Sequence, residues 1–127
     1  MNQSKPTDSR VLELQLRLTQ LDIPVETVQK LEPLLALLTR KTREMPVVIS
    51  HRSRVEKAVL RWQTKHRWLE LRLVVGDFST ETHLVAANFN RMAFRTYING
   101  ITERDIDSAF DFLYGRGEPV LSGTGIF

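Results

Sequence analysis

Residues 40–72 read RKTREMPVVISHRSRVEKAVLRWQTKHRWLELR, and both the fold and the charge distribution of the chain depend on this stretch. It contains ten lysines or arginines and three glutamates, a net charge of +7, whereas the whole chain carries +3. The rest of the chain therefore sums to −4. Because segregated charge creates a potential that attracts an oppositely charged partner, the stretch indicates a basic binding face.

The middle of this stretch, residues 54–67, fits both a helix and a strand. As a helix it begins with a capping box formed by Ser53 and Glu56. As a strand it alternates apolar with polar residues between positions 57 and 63, and residues 64–67 turn the chain back. We favour the strand, because the residues that follow are plainly β and a small sheet gains stability from another strand.

Three runs after this segment have the period of two that is typical of β-strands, namely residues 68–75, 82–89 and 92–98. Residues 46–49 are predicted to form a further short strand, whose proline is tolerated at a sheet edge. The patterns together predict an antiparallel β-meander of three to five strands over residues 46–98.

Two leucine stripes precede the sheet and predict a helical hairpin over residues 9–41. Apolar residues recur in them at spacings of three and four: Val11, Leu14, Leu18 and Leu21 in the first stripe, which Leu12 and Leu16 widen, and Val28, Leu31, Leu35 and Leu38 in the second. Ile23-Pro24 interrupts the helices, and Pro33 either kinks the second helix or begins a third. We interpret the stripes as core, although the same spacing suits a dimer seam.

A C-terminal helix is predicted over residues 102–115. Thr102 suits its N-cap, two acids in its first turn complement the helix dipole, and Gly115 suits its end. Asn99-Gly100, just before it, is the strongest turn signal in the chain. Ile106, Phe110 and Leu113 form its buried face.

These elements predict a single domain of the α+β class, with the C-terminal helix packed on one face of the sheet. Its predicted parts are a frayed N-terminus over residues 1–8, the helical hairpin over 9–41, the sheet over 46–98, the helix over 102–115 and a glycine-rich tail over 116–127.

The composition bounds the class of protein. A length of 127 residues with 42% hydrophobic residues suits one globular domain. No apolar run approaches the roughly 20 residues of a membrane span, and the polar N-terminus lacks the apolar core of a signal peptide. Together with the absence of cysteine, these features predict a cytoplasmic protein that does not contact a membrane.

Candidates for catalysis are few. His51, His66 and His83 are the default acid–base groups, but no two of them have metal-ligand spacing. Asp107 and Asp111 share a helix face and could hold a cation or act as a general acid and base, but dipole complementation and solubility explain the acids of this helix better. No nucleophile lies in a recognisable triad setting, so we predict no catalytic residue, no metal and no cofactor.

Function is therefore expected to come from the basic stretch, as a non-enzymatic module that binds a polyanion, with nucleic acid preferred. Cations would contact phosphates, and two tryptophans would offer rings to unpaired bases. The predicted contact residues are Arg52, Arg54, Lys57, Arg61, Trp62, Lys65, Arg67 and Trp68. The opposing interpretation is that the tryptophans are core and the cations a solvated face.

Two alternatives stay open. One is a protein-interaction module of the adaptor, inhibitor or immunity type, which binds a protein partner or self-associates through the leucine-rich helices. The other is a small nuclease or hydrolase centred on His66 or His51, with Lys65 and Arg67 beside a phosphate.

Overall fold

A computed structural model of the chain describes residues 8–75, 80–88, 92–97 and 101–116, the third of these ranges by its backbone alone. The chain divides into two compact units, Met1–Met45 and Pro46–Phe127, which we call the helical unit and the sheet unit. The division falls between the predicted hairpin and the predicted sheet. It also divides the basic stretch, because residues 40–45 belong to the helical unit and residues 46–72 to the sheet unit.

The helical unit contains α1 (Ser9–Gln20), α2 (Val25–Lys30) and α3 (Glu32–Lys41). Asp8 caps α1, because its carboxylate accepts a hydrogen bond of 2.8 Å from the backbone N–H of Arg10. Pro33 lies in the first turn of α3, so the alternative of a third helix is the correct one. Between α1 and α2 the chain reverses through Asp22, whose φ is +64°.

The leucine stripes are core residues of this unit, where α1 packs against both α2 and α3. The buried stripe residues are Val11, Leu14, Leu18, Val28, Leu31, Leu35 and Leu38. The stripe on α1 is narrower than predicted, since Leu12 and Leu16 are 53% and 58% exposed. These two side chains lie about a third of a turn beyond the row that contacts the other helices.

The sheet unit contains a five-stranded antiparallel meander in chain order, as predicted: β1 (Val47–Ser50), β2 (Glu56–Gln63), β3 (Arg67–Val75), β4 (Thr80–Asn88) and β5 (Met92–Tyr97). The ambiguous segment is therefore a strand. The hydroxyl of Ser53 does accept a hydrogen bond from the backbone N–H of Glu56, at 3.1 Å, as in a helix cap. Here the contact closes a turn that leads into β2, so the same local signal serves a different element.

Register assigns the side chains of the sheet to two faces. Leu60, Leu71 and Leu84 are successive cross-strand partners and are fully buried. One position along, Arg61 is opposite Glu70, and Glu70 is opposite Val85, so these three residues lie on the other face. One face is therefore apolar, while the other carries charge at its centre.

The C-terminal helix α4 (Glu103–Leu113) packs on β3 and β4. Thr102 and Asp105 form a capping box at its start, and Gly115, with a φ of +74°, ends it as predicted. The backbone N–H groups of Gly115 and Arg116 donate to the carbonyls of Phe112 and Asp111, so the last turn is closed by a Schellman motif.

Several predictions fall outside the described residues. These are the frayed N-terminus up to residue 7, the Asn99-Gly100 turn and the tail from residue 117. Among the described residues, no helix has both the length and the apolar character needed to cross a membrane.

Candidate functional site

The carboxylate of Glu70 lies on the middle strand of the sheet and is fully buried. Three arginines donate hydrogen bonds to it. Arg52 reaches it from the loop before β2 with two bonds of 2.6 and 2.7 Å, and Arg72, two residues along β3, donates through Nε at 2.8 Å. Arg61, directly opposite on β2, donates through Nη1. Strand register and one loop thus bring three cations to a single acid.

A second carboxylate completes this group, which we call the arginine cluster: Arg52, Glu56, Arg61, Glu70 and Arg72. Glu56 accepts bonds of 3.1 and 2.8 Å from Arg52, and its Oε2 lies 3.5 Å from the Nε of Arg72. The side chains of the three arginines are 20–30% exposed. With three cations and two acids, the cluster keeps a net charge of +1.

The acids of the cluster are held in their ionised forms. Burial raises the pKa of Glu70, but the hydrogen bonds from Arg52 and Arg72 outweigh burial and leave this pKa lowered. The hydrogen bond from Arg52 is also the main reason that the pKa of Glu56 is lowered. In return, the hydrogen bonds to Glu70 and Glu56 raise the pKa of Arg52. The cluster is therefore fully charged at neutral pH.

We expect the free energy of unfolding to fall in acid because of these two glutamates. Their folded pKa values lie below the unfolded value of about 4.3, so the unfolded state binds more protons as the pH drops. Their contribution is present above that pH and is lost as the pH falls through the folded pKa values. Urea unfolding between pH 7 and pH 3 measures this loss, and Glu56→Gln should reduce it.

The matched control for this titration is Glu26→Gln, which changes an exposed glutamate of the helical unit. It leaves Glu56 and Glu70 in place, so the loss of stability in acid that they cause should remain. A profile that is flat down to pH 3, or one that Glu56→Gln leaves as steep as before, would contradict the assignment of acid sensitivity to the cluster.

Neither tryptophan of the predicted site presents a free ring. Trp62 is 2% exposed and meets Phe110 of α4 edge to face, with the ring centroids 5.7 Å apart. Trp68 is half-buried, and the guanidinium carbons of Arg61 and Arg72 lie 5.0 and 5.6 Å from its ring centroid. Trp62 is thus a core residue, and Trp68 supports two arginines of the cluster.

Arg67 also has a structural partner. Its Nη1 donates a 2.6 Å hydrogen bond to the carbonyl of Phe112, and its guanidinium carbon lies 4.4 Å from the centroid of the Phe112 ring. The start of β3 is thereby joined to the end of α4. This contact explains the arginine without reference to a ligand.

Three of the predicted residues remain. Arg54 and Lys65 are exposed and Lys57 is half-buried, and among the residues that the structure describes none of these three side chains has a hydrogen bond or an ion pair. Arg54 lies in the loop before β2, near the exposed His51, and Lys65 lies in the turn after β2. At about 3.3 Å per residue, the two ends of β2, beyond which these positions lie, are roughly 23 Å apart.

A cavity of about 380 Å³ that is widely open to solvent lies between the turn that joins β2 to β3 and the end of α4. Residues 64–67 and 113–115 line it. Lys65, His66 and Arg67 bring positive charge or hydrogen-bond donors to it. On the other side Leu113 is 2% exposed, and the ring of Tyr114 stacks on Phe110 and has the guanidinium carbon of Arg116 5.1 Å from its centroid. None of these lining residues is acidic.

The cavity had no signal in the sequence, whereas the charged environment of Glu70 had one. The cavity joins segments almost fifty residues apart, which no local pattern brings together. Glu70 is different, because strand alternation assigns it and Arg72 to the face opposite the leucines. On the middle strand of a five-stranded meander such a carboxylate is buried, and a buried carboxylate needs a charged partner.

Of the remaining titratable candidates, His83 lies directly opposite Arg72 of the cluster on β4. His83 is 7% exposed, and its Nε2 lies 3.0 Å from Glu81 Oε1, whereas His51 and His66 are exposed. Asp111 accepts a hydrogen bond of 3.0 Å from Arg116. In the described parts of the chain, no three His, Asp or Glu side chains are placed to hold a metal ion.

Comparison with known proteins adds no relative to this description. No protein-family model, no curated protein and no solved structure matches the chain.

Proposed function

We propose that the sheet unit binds nucleic acid through its phosphates, using exposed cations at both ends of β2. The observation that carries this proposal is that Arg54 and Lys65 are exposed and have no protein partner among the described residues. Structural cations are paired, as Arg52, Arg61 and Arg67 are. Exposed cations without a partner are instead available to an anion.

The arginine cluster also supports this proposal, because it places further cations between the two ends of β2. It contributes a net charge of +1 between the two ends and holds its guanidiniums in fixed positions. Arg72 donates only through Nε, so within the described residues its two Nη groups have no hydrogen-bond partner. They can donate to a phosphate, the acceptor that guanidinium geometry matches well.

The spacing of the cations favours an extended polyanion over a small anion. The two ends of β2 are roughly 23 Å apart, whereas the phosphates of one strand of duplex DNA advance about 3.4 Å each along the helix axis. A duplex that lies along β2 and contacts both ends therefore spans about seven phosphates of one strand. An isolated phosphate would reach one end only.

The test is the affinity of Arg54→Glu/Lys65→Glu for short single-stranded and duplex oligonucleotides, measured by fluorescence anisotropy. We expect a loss of about tenfold or more at low salt, because two phosphate contacts are lost and two repulsive charges are introduced. The slope of log affinity against log salt concentration should fall by about 1.5. Arg61 is left unchanged, since its reversal would disrupt the arginine cluster.

Arg17→Glu/Lys30→Glu is the matched control. It changes the net charge by the same amount at two exposed cations of the helical unit, which have no ion pair among the described residues. It should bind nearly as the unchanged protein does. Equal losses in the two variants would mean that only overall charge matters, and no binding at low salt would refute the proposal.

The alternatives from the sequence have weaker support. For protein interaction, the observation is the exposure of Leu12 and Leu16, but two exposed leucines are common on monomers and do not make a large patch. For catalysis, His66 lies in the cavity, but among the described residues it has no hydrogen-bond partner to orient its ring. We therefore propose binding and no reaction.

A further inference from the structure

We propose that one edge of the Arg52 guanidinium is a phosphate site of the nucleic-acid interface, which the carboxylate of Glu56 occupies in the free protein. This inference rests on the proposed function and deepens it, because it adds one residue that contacts the ligand and one that limits the affinity. A phosphate diester that binds at this edge displaces the Glu56 carboxylate into water.

The geometry of Arg52 is the first argument. A guanidinium has two edges from which it can donate a pair of N–H groups to one acid, and Arg52 uses both. Its Nη1 and Nη2 donate to the two oxygens of Glu70 at 2.6 and 2.7 Å. Its Nε and Nη2 donate to the two oxygens of Glu56 at 3.1 and 2.8 Å. Arginine binds phosphate in the same paired geometry, so Glu56 occupies the position that a phosphate would take.

The second argument is that the two acids hold Arg52 unequally. Glu70 is fully buried and accepts the shorter bonds, whereas the side chain of Glu56 is partly exposed and its bonds are longer. An ion pair that water reaches contributes little to stability. The Nε of Arg72 lies 3.5 Å from Glu56, beyond the usual hydrogen-bond distance. Glu56 can therefore leave while Glu70 keeps the Arg52 guanidinium in place.

The third argument is the position of Arg52 in the chain. It lies in the loop before β2, two residues before Arg54, and both residues are exposed. Two residues of chain span at most about 7 Å. A strand of nucleic acid whose phosphate contacts Arg54 therefore has a neighbouring phosphate within reach of the Arg52 edge.

Glu56 acts as an internal competitor of the ligand in this arrangement. The apparent affinity of a site equals its intrinsic affinity reduced by the fraction of molecules in which the site is free. Removal of the Glu56 carboxylate should therefore strengthen the binding of nucleic acid.

The test is the affinity of Glu56→Gln for the same oligonucleotides, measured by fluorescence anisotropy at pH 7 and low salt. We expect binding about fivefold tighter than that of the unchanged protein, because an amide competes for a guanidinium less well than a carboxylate does. Glu26→Gln is the matched control, since it removes the same charge from an exposed position of the helical unit. It should bind nearly as the unchanged protein does, and equal gains in the two variants would overturn the inference.

Arg52→Lys separates the paired edge from local charge. Lysine keeps a cation beside Glu70 but has no edge that donates two parallel N–H groups. In this background Glu56→Gln should lose most of its gain, and a full gain would overturn the inference by assigning the effect to local charge.

A direct measurement uses the unchanged protein. In two-dimensional NMR spectra, the Nε–H resonance of Arg52 should shift in a saturable way as the oligonucleotide is added, and no shift at saturation would overturn the inference. If Arg54→Glu/Lys65→Glu still weakened binding in that case, the proposed function would stand without it. An absence of binding at low salt would overturn both.

Discussion

Glu70→Gln is expected to lower the free energy of unfolding by about 3–5 kcal/mol. The substitution keeps the shape of the side chain and removes the charge that three arginines share. Arg52, Arg61 and Arg72 then face one another with only Glu56 to balance them, and two of the four hydrogen bonds to Glu70 lose a good acceptor when an amide N–H₂ replaces a carboxylate oxygen. Urea unfolding monitored by circular dichroism at pH 7 measures the change.

Glu56→Gln is the matched control for this substitution. It removes the other carboxylate of the arginine cluster, whose side chain is 17% exposed where that of Glu70 is 0% exposed. A partly solvated pair contributes about 1 kcal/mol or less, so the loss should be several times smaller. Equal losses in the two variants would show that burial does not set the importance of Glu70.

Trp62→Ala is expected to lower the free energy of unfolding by about 3–5 kcal/mol. Trp62 is buried between the sheet and α4, so truncation leaves a cavity and removes its edge-to-face contact with Phe110. Trp62→Phe keeps an aromatic ring and should lose less. Chemical unfolding measures both variants, and the near-ultraviolet circular dichroism of the folded protein reports whether the aromatic packing is altered.

This substitution also separates the core role of Trp62 from the stacking role that the sequence suggested. At a temperature where Trp62→Ala remains folded, its affinity for oligonucleotides should equal that of the unchanged protein. A selective loss of affinity in a stable variant would mean that the ring contacts the ligand after all.

Most of the fold could be predicted, because it follows from local periodicity. Leucines at spacings of three and four predicted the helices, and alternation predicted the strands. The segment 54–67 shows that local sequence patterns cannot always decide between a helix and a strand. Its Ser53–Glu56 contact forms as a helix cap would, but pairing with β1 and β3 gives the following residues more hydrogen bonds and burial than one isolated helix would.

The structure does not bring all of the predicted contact residues to one surface, and the physical reason differs from residue to residue. Trp62 has the same parity along β2 as Ala58 and Leu60, so alternation already assigned it to the apolar face. Arg67 could not be assigned in this way, because its partner Phe112 is 45 residues away. A count of charges along a segment says nothing about which cations find a protein partner.

The order of the strands has a consequence for how this protein folds. Glu70 is nine residues from Arg61 and two from Arg72, and Arg52 is eighteen residues away. Closing loops this short costs little chain entropy, so the hairpin of β2 and β3 brings two of the cations to Glu70 as it forms. The chain therefore has no need to desolvate a lone carboxylate on its way to the native state, although that carboxylate ends at the centre of the sheet.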